Sequence, residues 1–145
     1  MLGNQYFLGR NYSKALIEFE KCIIENPTDK AIRRKLIICY TQTNNLDKSL
    51  VTFYNLISED IKFVMDADPL RDDCPCAELI KSIDSSSYTI YENKLVNGIL
   101  WLFCDSKTSL EYFMEAKEIK PNNKFISQII NIIQNQIPDH LIKTE

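Results

Sequence analysis

Apolar residues near the start of the chain recur at the spacing of a helix. The apolar residues Leu16, Phe19, Ile23 and Ile24 are separated by three or four positions. Such spacing places side chains on one face of a helix. Asn11 precedes the segment and can accept a hydrogen bond from an unpaired backbone N–H, whereas Pro27 follows it and cannot continue a helix. The pattern predicts an amphipathic helix between Asn11 and Pro27.

The same pattern returns further along the chain. Six residues recur 34 positions later: Tyr6 as Tyr40, Asn11 as Asn45, Lys14 as Lys48, Leu16 as Leu50, Phe19 as Phe53 and Glu25 as Glu59. One helix pair of this length cannot bury its apolar side alone, whereas stacked copies can. The repetition therefore predicts an all-α protein built from helix pairs.

At these positions the chain resembles the tetratricopeptide repeat family. In the first copy the family's small, aromatic and proline positions hold Gly3, Tyr6, Tyr12, Ala15, Phe19, Cys22 and Pro27. In the second copy they hold Ile37, Tyr40, Leu46, Ser49, Phe53 and Leu56, and in the third Gly98, Trp101, Ser109, Phe113, Ala116 and Pro121. The resemblance implies a right-handed stack of about three helix-turn-helix repeats, at about residues 1–29, 30–61 and 91–123. The third turn between helices is one residue short.

An insertion of about residues 62–88 separates the second copy from the third. We expect the last helix of the second copy to run on toward Asp66 and to stop at Asp68 and Pro69. A short helix is expected from about Pro75 to Ile83. The run Ser85–Ser87 is expected to cap the helix that follows.

A further helix is expected to close the stack at about residues 122–137. Its apolar residues share one face: Phe125, Ile129, Ile130, Ile133 and Ile137. A polar opposite side suits a capping helix, because the end of a repeat stack meets water. The prediction is thus one helical domain of residues 1–137, followed by a tail of residues 138–145.

Composition narrows the class of function. The net charge of −3 offers no basic footprint for nucleic acid. No apolar stretch reaches the roughly 18 residues that a membrane span needs, so we expect no membrane partner. The five cysteines lack the spacing of a disulfide framework and suit a reducing compartment, which predicts a cytoplasmic protein.

Cys74-Pro75-Cys76, beside several aspartates, is the strongest chemical motif. Zinc would need four ligands, and the only histidine, His140, lies in the tail. We therefore expect no metal and no cofactor, and interpret the motif as the start of a helix. A cysteine nucleophile would lack a base, so we expect no enzyme. The alternative is a metal- or thiol-dependent sensor built on this segment.

The family resemblance also implies a concave groove lined by the first helix of each pair. By that register the groove residues are Asn4, Phe7, Leu8, Arg34, Ile38, Thr41, Gln42, Leu95 and Ile99. The function that follows is a non-catalytic protein–protein interaction module or scaffold, which binds a peptide or protein segment in this groove. Self-association is a further interpretation.

A basic stretch begins the second copy and bears on which chemical group of a partner would bind there. Lys30, Arg33, Arg34 and Lys35 occupy the first turns of a helix, where positive charge opposes the helix dipole. One interpretation is that these are solvated side chains whose positive charge is offset by Asp29 and Glu25. The other is that they bind a partner. In the second case Arg34, with Lys30, binds an acidic or C-terminal carboxylate group, while Phe7 and Ile38 supply apolar contact.

Overall fold

A computed structural model describes residues 1–72 and 74–138, and every regular element within them is helical. The helices are α1 (Leu2–Leu8), α2 (Tyr12–Glu25), α3 (Lys30–Gln42), α4 (Leu46–Asp60), α5 (Lys62–Met65), α6 (Cys76–Ser82), α7 (Ile90–Trp101), α8 (Ser106–Ile119) and α9 (Lys124–Gln134). A 3₁₀ turn, Ile83–Ser85, follows α6. The all-α prediction is confirmed for this part of the chain. The predicted tail, apart from Pro138, lies outside it.

The chain divides into two compact units. The first, Met1–Asp60, contains α1 to α4, and each of these helices packs against the next along the chain. The second begins at Ile61, and its described residues reach Pro138; in it α6 packs on α7, α7 on α8 and α8 on α9. No helix among the described residues is long and apolar enough to cross a membrane.

Close contact between a glycine and a phenylalanine joins α1 to α2. A Cβ placed on Gly3 would lie 2.9 Å from Cε1 of Phe19, a ring that is fully buried. The turn between the helices contains Arg10 in the left-handed region, with φ 61°. Its backbone allows the N–H of Asn11 to donate to the carbonyl oxygen of Tyr6 at 2.8 Å. Asn11 then accepts from the N–H of Lys14, as expected for a helix start.

The α3–α4 pair repeats this turn. Asn44 has φ 59°, and the N–H of Asn45 donates to the carbonyl oxygen of Tyr40 at 2.9 Å. A buried serine links the two helices, since Ser49 Oγ donates to the carbonyl oxygen of Ile37 at 3.0 Å. Each of these contacts involves residues that the 34-residue repeat aligns with the first pair.

The α7–α8 pair combines both contacts. A Cβ on Gly98 would lie 2.9 Å from Cε2 of Phe113, and Ser109 Oγ donates to the carbonyl oxygen of Gly98 at 2.6 Å. Its turn is tighter, because the N–H of Asp105 donates to the carbonyl oxygen of Trp101 at 2.7 Å. The shorter third turn expected from the sequence is therefore present.

The insertion departs from the prediction in two places. The helix expected to continue toward Asp66 is interrupted at Ile61, and the short α5 then ends at Met65. The expected cap at Ser85–Ser87 is wrong, because Thr89 caps α7. Thr89 Oγ1 accepts from the N–H of Glu92, whose side chain accepts from the N–H of Thr89. This reciprocal pair satisfies two unpaired donors, which one serine could not do.

The other two helices that were expected in the second unit are present. The helix predicted from about Pro75 to Ile83 is α6, within one residue at each end. The capping helix is α9, which begins after Asn123; the side chain of Asn123 accepts from the N–H groups of Phe125 and Ile126. Its buried residues are Ile126, Ile129, Ile130 and Ile133.

Phe53→Ala should lower the free energy of unfolding by about 3–5 kcal/mol, because it removes a fully buried ring and leaves a cavity. Chemical denaturation followed by circular dichroism measures the loss. A loss below about 1 kcal/mol would show that the ring does not join α3 to α4.

Gly98→Ala should also destabilise the fold, by about 1 kcal/mol or more, because the new methyl group meets the buried ring of Phe113. The loss outweighs the roughly 1 kcal/mol that alanine gains over glycine within a helix. Gly9→Ala is the matched control, since its Cβ would lie 3.5 Å from the carbonyl oxygen of Gln5, an ordinary contact. Gly9→Ala should leave stability unchanged or raise it by about 0.4–1 kcal/mol. Equal effects of the two substitutions would contradict the close contact.

Candidate partner-binding surface

The structure buries most of the predicted groove residues. In the first unit Phe7, Arg34, Ile38 and Thr41 are buried, and in α7 of the second unit Leu95 and Ile99 are buried. Asn4 and Gln42 are half-buried, whereas Leu8 is 62% exposed. The expected apolar contacts at Phe7 and Ile38 offer a partner almost no surface, because these side chains are 0% and 2% exposed.

Burial of Phe7 has a direct cause within the first helix pair. Its ring meets Tyr12 and Phe19 edge-on, with ring centroids 5.7 and 6.0 Å apart. Aromatic rings favour this geometry, which adds to the gain from burial. Phe7 therefore packs within the α1–α2 pair and stabilises it, and its ring is not available for contact with a partner.

One polar contact joins α1 to α3. Lys35 Nζ donates to Asn4 Oδ1 at 2.8 Å and lies 5.6 Å from the ring centroid of Phe7. The first helices of the two pairs thus contact each other on one side of the first unit. We call the surface formed by Asn4, Leu8, Lys35 and Gln42 the α1–α3 face. Lys35 was absent from the predicted groove, because only the docking of the two helices shows which residue of α1 it reaches.

Local bonds occupy the polar groups at the end of α3. Thr41 Oγ1 donates to the carbonyl oxygen of Ile38 at 2.7 Å, and Gln42 Nε2 donates to Thr41 Oγ1 at 3.1 Å. Thr41 is 1% exposed, so its hydroxyl group serves this internal chain of bonds. Gln42 keeps part of its amide at the surface.

The basic start of α3 pairs with the acidic end of α4. Lys30 Nζ donates to Asp60 Oδ2 at 3.1 Å, and the guanidinium of Arg33 donates to both carboxylate oxygens of Glu59, to Oε1 at 3.0 Å. The hydrogen bond from Arg33 lowers the pKa of Glu59 below its ordinary value, and the charge of Arg33 adds to the effect. Asp29 instead caps α3 by accepting from the N–H of Ile32. Glu59 and Asp60 therefore offset the positive charge of the basic stretch, a role that was expected of Asp29 and Glu25.

A concavity of the first unit lies between α2 and α4. Its volume is about 350 Å³, and α3 contributes Arg33, Leu36 and Tyr40 to its lining. The hydroxyl group of Tyr40 donates to Glu20 Oε2 at 2.9 Å, and burial, followed by this hydrogen bond, raises the pKa of Tyr40. Arg33 and Tyr40 thus both have partners within the first unit. No sequence pattern indicated this cavity.

The cysteines differ in their surroundings. Cys39 is fully buried, and burial raises the pKa of its thiol to about 12. Cys22 is half-buried, and Cys104 is exposed because it lies in the turn after α7. Across residues 1–72 and 74–138, no three His, Cys, Asp or Glu side chains are grouped so that they could hold a metal ion.

Glu59→Gln should reduce stability most at neutral pH. Because the folded pKa of Glu59 is lowered, its pairing with Arg33 stabilises the protein above the ordinary glutamate range, near pH 4.3. That contribution disappears as the pH falls through the lowered folded pKa. Denaturation midpoints of the wild type and the variant should therefore differ at about pH 7 and converge at about pH 3. Glu25→Gln, at an exposed position ending α2, is the matched control. Equal losses in the two variants at neutral pH would contradict the pairing.

The chain matches no known protein family, no curated protein and no solved structure.

Proposed function

We propose that the chain is a protein-interaction module, which binds a peptide or protein segment without catalysing a reaction. Its helix pairs are taken to form a right-handed stack of the tetratricopeptide type. Two recurring features support this arrangement. A glycine contacts a buried phenylalanine in the first and third pairs, and a buried serine bonds to a carbonyl oxygen in the second and third. Repeat stacks use extended surfaces for binding partners.

The contact between Lys35 and Asn4 is the observation that carries the proposal. It joins α1 to α3, the first helices of two consecutive pairs, through one side-chain hydrogen bond. In a stack of helix pairs, these are the helices that line the concave surface. The binding surface in the first unit is therefore the α1–α3 face, in which Leu8 presents the largest exposed apolar side chain.

Charge on α3 favours an acidic partner. Lys35 belongs to the α1–α3 face, and Arg34 is its neighbour along the helix. Lys30 and Arg33 pair with Asp60 and Glu59. The proposed ligands of a partner carboxylate are Arg34 and Lys35. An arginine can hold a carboxylate through two parallel bonds. The proposed partner segment combines an acidic or C-terminal carboxylate group with an apolar side chain that contacts Leu8.

The proposed compartment is the cytoplasm. Five cysteines without framework spacing suit a reducing environment. The thiol of Cys39 is buried with a raised pKa, which protects it from reaction. Partners would accordingly be cytoplasmic proteins or a second copy of this chain.

Site-specific crosslinking tests the surface before the partner is known. A photoreactive amino acid replaces Leu8, and in a separate sample Ile24, which is 80% exposed on α2. Irradiation in an extract of the native host should give a discrete crosslinked product from position 8 and none from position 24. Mass spectrometry then identifies the product as another protein or a second copy of the chain. The same products from both positions, or none from position 8, would count against the α1–α3 face.

Leu8→Ser and Arg34→Glu should both weaken the partner identified in this way. Arg34→Glu should cost about 2 kcal/mol or more of binding free energy, as for a central anchor whose charge is reversed. Leu8→Ser should weaken binding and leave the fold unchanged, because the side chain is exposed. Titration calorimetry measures the affinities, and circular dichroism checks the fold.

Controls reproduce each chemical change on α2. Ile24→Ser removes an exposed apolar side chain, and Lys21→Glu reverses a charge that is 69% exposed. Both should leave affinity unaltered. If Leu8→Ser weakens binding and a folded Arg34→Glu variant does not, the result supports the apolar contact at Leu8 and contradicts the carboxylate contact at Arg34. If neither variant differs from its control, the proposed surface is wrong.

A further inference from the structure

Two thiols of the second unit lie next to each other outside the repeated helix pairs. Cys74 and Cys76 flank Pro75 in the segment that leads into α6. Their sulfur atoms are 2.7 Å apart, with the thiol of Cys74 directed at the sulfur of Cys76. Cys74 is half-buried, whereas Cys76 is 1% exposed. Solvent therefore reaches Cys74 and hardly reaches Cys76.

Hydrogen bonds from backbone N–H groups hold this segment on both sides. The carboxylate of Asp68 accepts from the N–H groups of Leu70 and Arg71, and Asp72 Oδ2 accepts from the N–H of Asp68 at 2.8 Å. The N–H of Cys74 donates to the carbonyl oxygen of Pro69 at 3.3 Å.

On the other side, the N–H of Leu79 donates to the carbonyl oxygen of Pro75 at 3.0 Å, which begins α6. Pro75 itself fixes one backbone angle between the two cysteines. The proximity of the two sulfurs thus follows from the fold on both sides of Pro75.

We propose that Cys74 and Cys76 are a redox-active dithiol, held ready by the fold to close into an intramolecular disulfide through exchange with a small-molecule disulfide. This role does not depend on the proposed partner-binding function. The α1–α3 face belongs to the first unit and the dithiol to the second.

The exchange proceeds in two steps, each an attack by a thiolate on a disulfide. The Cys74 thiolate attacks one sulfur of the small disulfide RSSR, forms a mixed disulfide and releases one RS⁻. The Cys76 thiolate then attacks Sγ of Cys74, which forms the Cys74–Cys76 bond, breaks the mixed disulfide and releases the second RS⁻. The two thiol protons end on the two RS⁻ groups, so that one dithiol and one RSSR give one protein disulfide and two RSH. Cys74 reacts first because its sulfur is the more accessible.

Cys104 is the competing thiol. It is exposed in the turn after α7. Although the residue is exposed, partial desolvation of its thiol, followed by the negative charges of Cys74 and Asp105, raises the pKa of Cys104. The influence of Cys74 indicates that the two residues are near each other, so the experiment must distinguish a Cys74–Cys76 disulfide from a Cys74–Cys104 disulfide. Because its pKa is raised, a smaller fraction of Cys104 is thiolate at neutral pH than for an ordinary cysteine.

Peptide mapping of the whole chain tests the proposal. Reduced protein is equilibrated with oxidised and reduced glutathione, alkylated and digested with trypsin. Cleavage after Arg71 and Lys81 gives a peptide of residues 72–81, which contains Cys74 and Cys76 and no other cysteine. We expect this peptide to carry no alkyl group and to have lost two hydrogen atoms. Two alkyl groups or two glutathione adducts at equilibrium would overturn the proposal, as would a crosslink to the peptide of residues 95–107, which contains Cys104.

Single variants separate the role of Cys74, which attacks first, from that of Cys76, which closes the disulfide. With Cys76→Ser, the glutathione adduct on Cys74 should persist, because the second thiolate is missing. With Cys74→Ser, Cys76 should react at least about 10-fold more slowly than Cys74 does in Cys76→Ser, because burial limits access to its sulfur. Equal rates would contradict the order of attack. Cys104→Ser is the control and should leave the oxidised peptide of residues 72–81 unchanged.

A comparison with the isolated peptide tests the contribution of the fold. A synthetic peptide of residues 72–81 is equilibrated with the same glutathione mixture. Because the fold already holds the sulfurs together, the equilibrium constant for closing the disulfide should be about 10-fold or more higher in the protein. Equal constants would show that the fold does not prepare the dithiol and would overturn the inference.

Discussion

Close approach of two helices, with a phenylalanine ring of one against the backbone of the other, is the constraint on which the first and third helix pairs depend. At Gly3 and Gly98 the ring of Phe19 or Phe113 occupies the space that a Cβ would need. In the second pair Ile37 replaces the glycine, and a buried serine bonds to its carbonyl oxygen. Once this contact is set, the turn must reverse the chain within a few residues. The left-handed conformation at Arg10 and Asn44 meets that requirement, although neither residue is glycine.

The same antiparallel pairing resolves an electrostatic conflict. Basic residues at the start of α3 and acidic residues at the end of α4 each oppose the dipole of their own helix. Pairing the two helices brings these ends together, so that Lys30 and Arg33 contact Asp60 and Glu59. The charges that disfavour each isolated helix therefore favour the pair. Partly exposed ion pairs contribute little stability individually, so their main effect is to specify which helix ends meet.

The sequence predicts what depends on local periodicity and fails where tertiary neighbours decide. Helix identity, the cap at Asn11, the shorter third turn and the burial of Phe19, Phe53 and Phe113 follow from spacing and residue type. The break at Ile61 does not. Thr89 and Glu92 do have the spacing of a capping box, a signal that the expected cap at Ser85–Ser87 overlooked. The surface was the hardest part to predict. Phe7 and Ile38 lie at groove positions of the repeat, yet the packing around them leaves them no surface, whereas Lys35 gains its place through Asn4 of another helix.

Division of the chain into repeated and unrepeated parts also separates the two proposed activities. Residues that build helix pairs are constrained by close packing, so they vary little in chemistry; glycine, phenylalanine and buried serine recur because few others fit. The proposed binding therefore uses side chains that this packing leaves at the surface, which are those of the α1–α3 face. The segment before α6 has no such constraint, and segments of this kind often hold reactive groups on a rigid scaffold. Cys74 and Cys76 lie there, held by backbone bonds that require no helix partner. A change in the thiol pair can consequently alter the chemistry of the second unit without removing any contact on which the helix pairs depend.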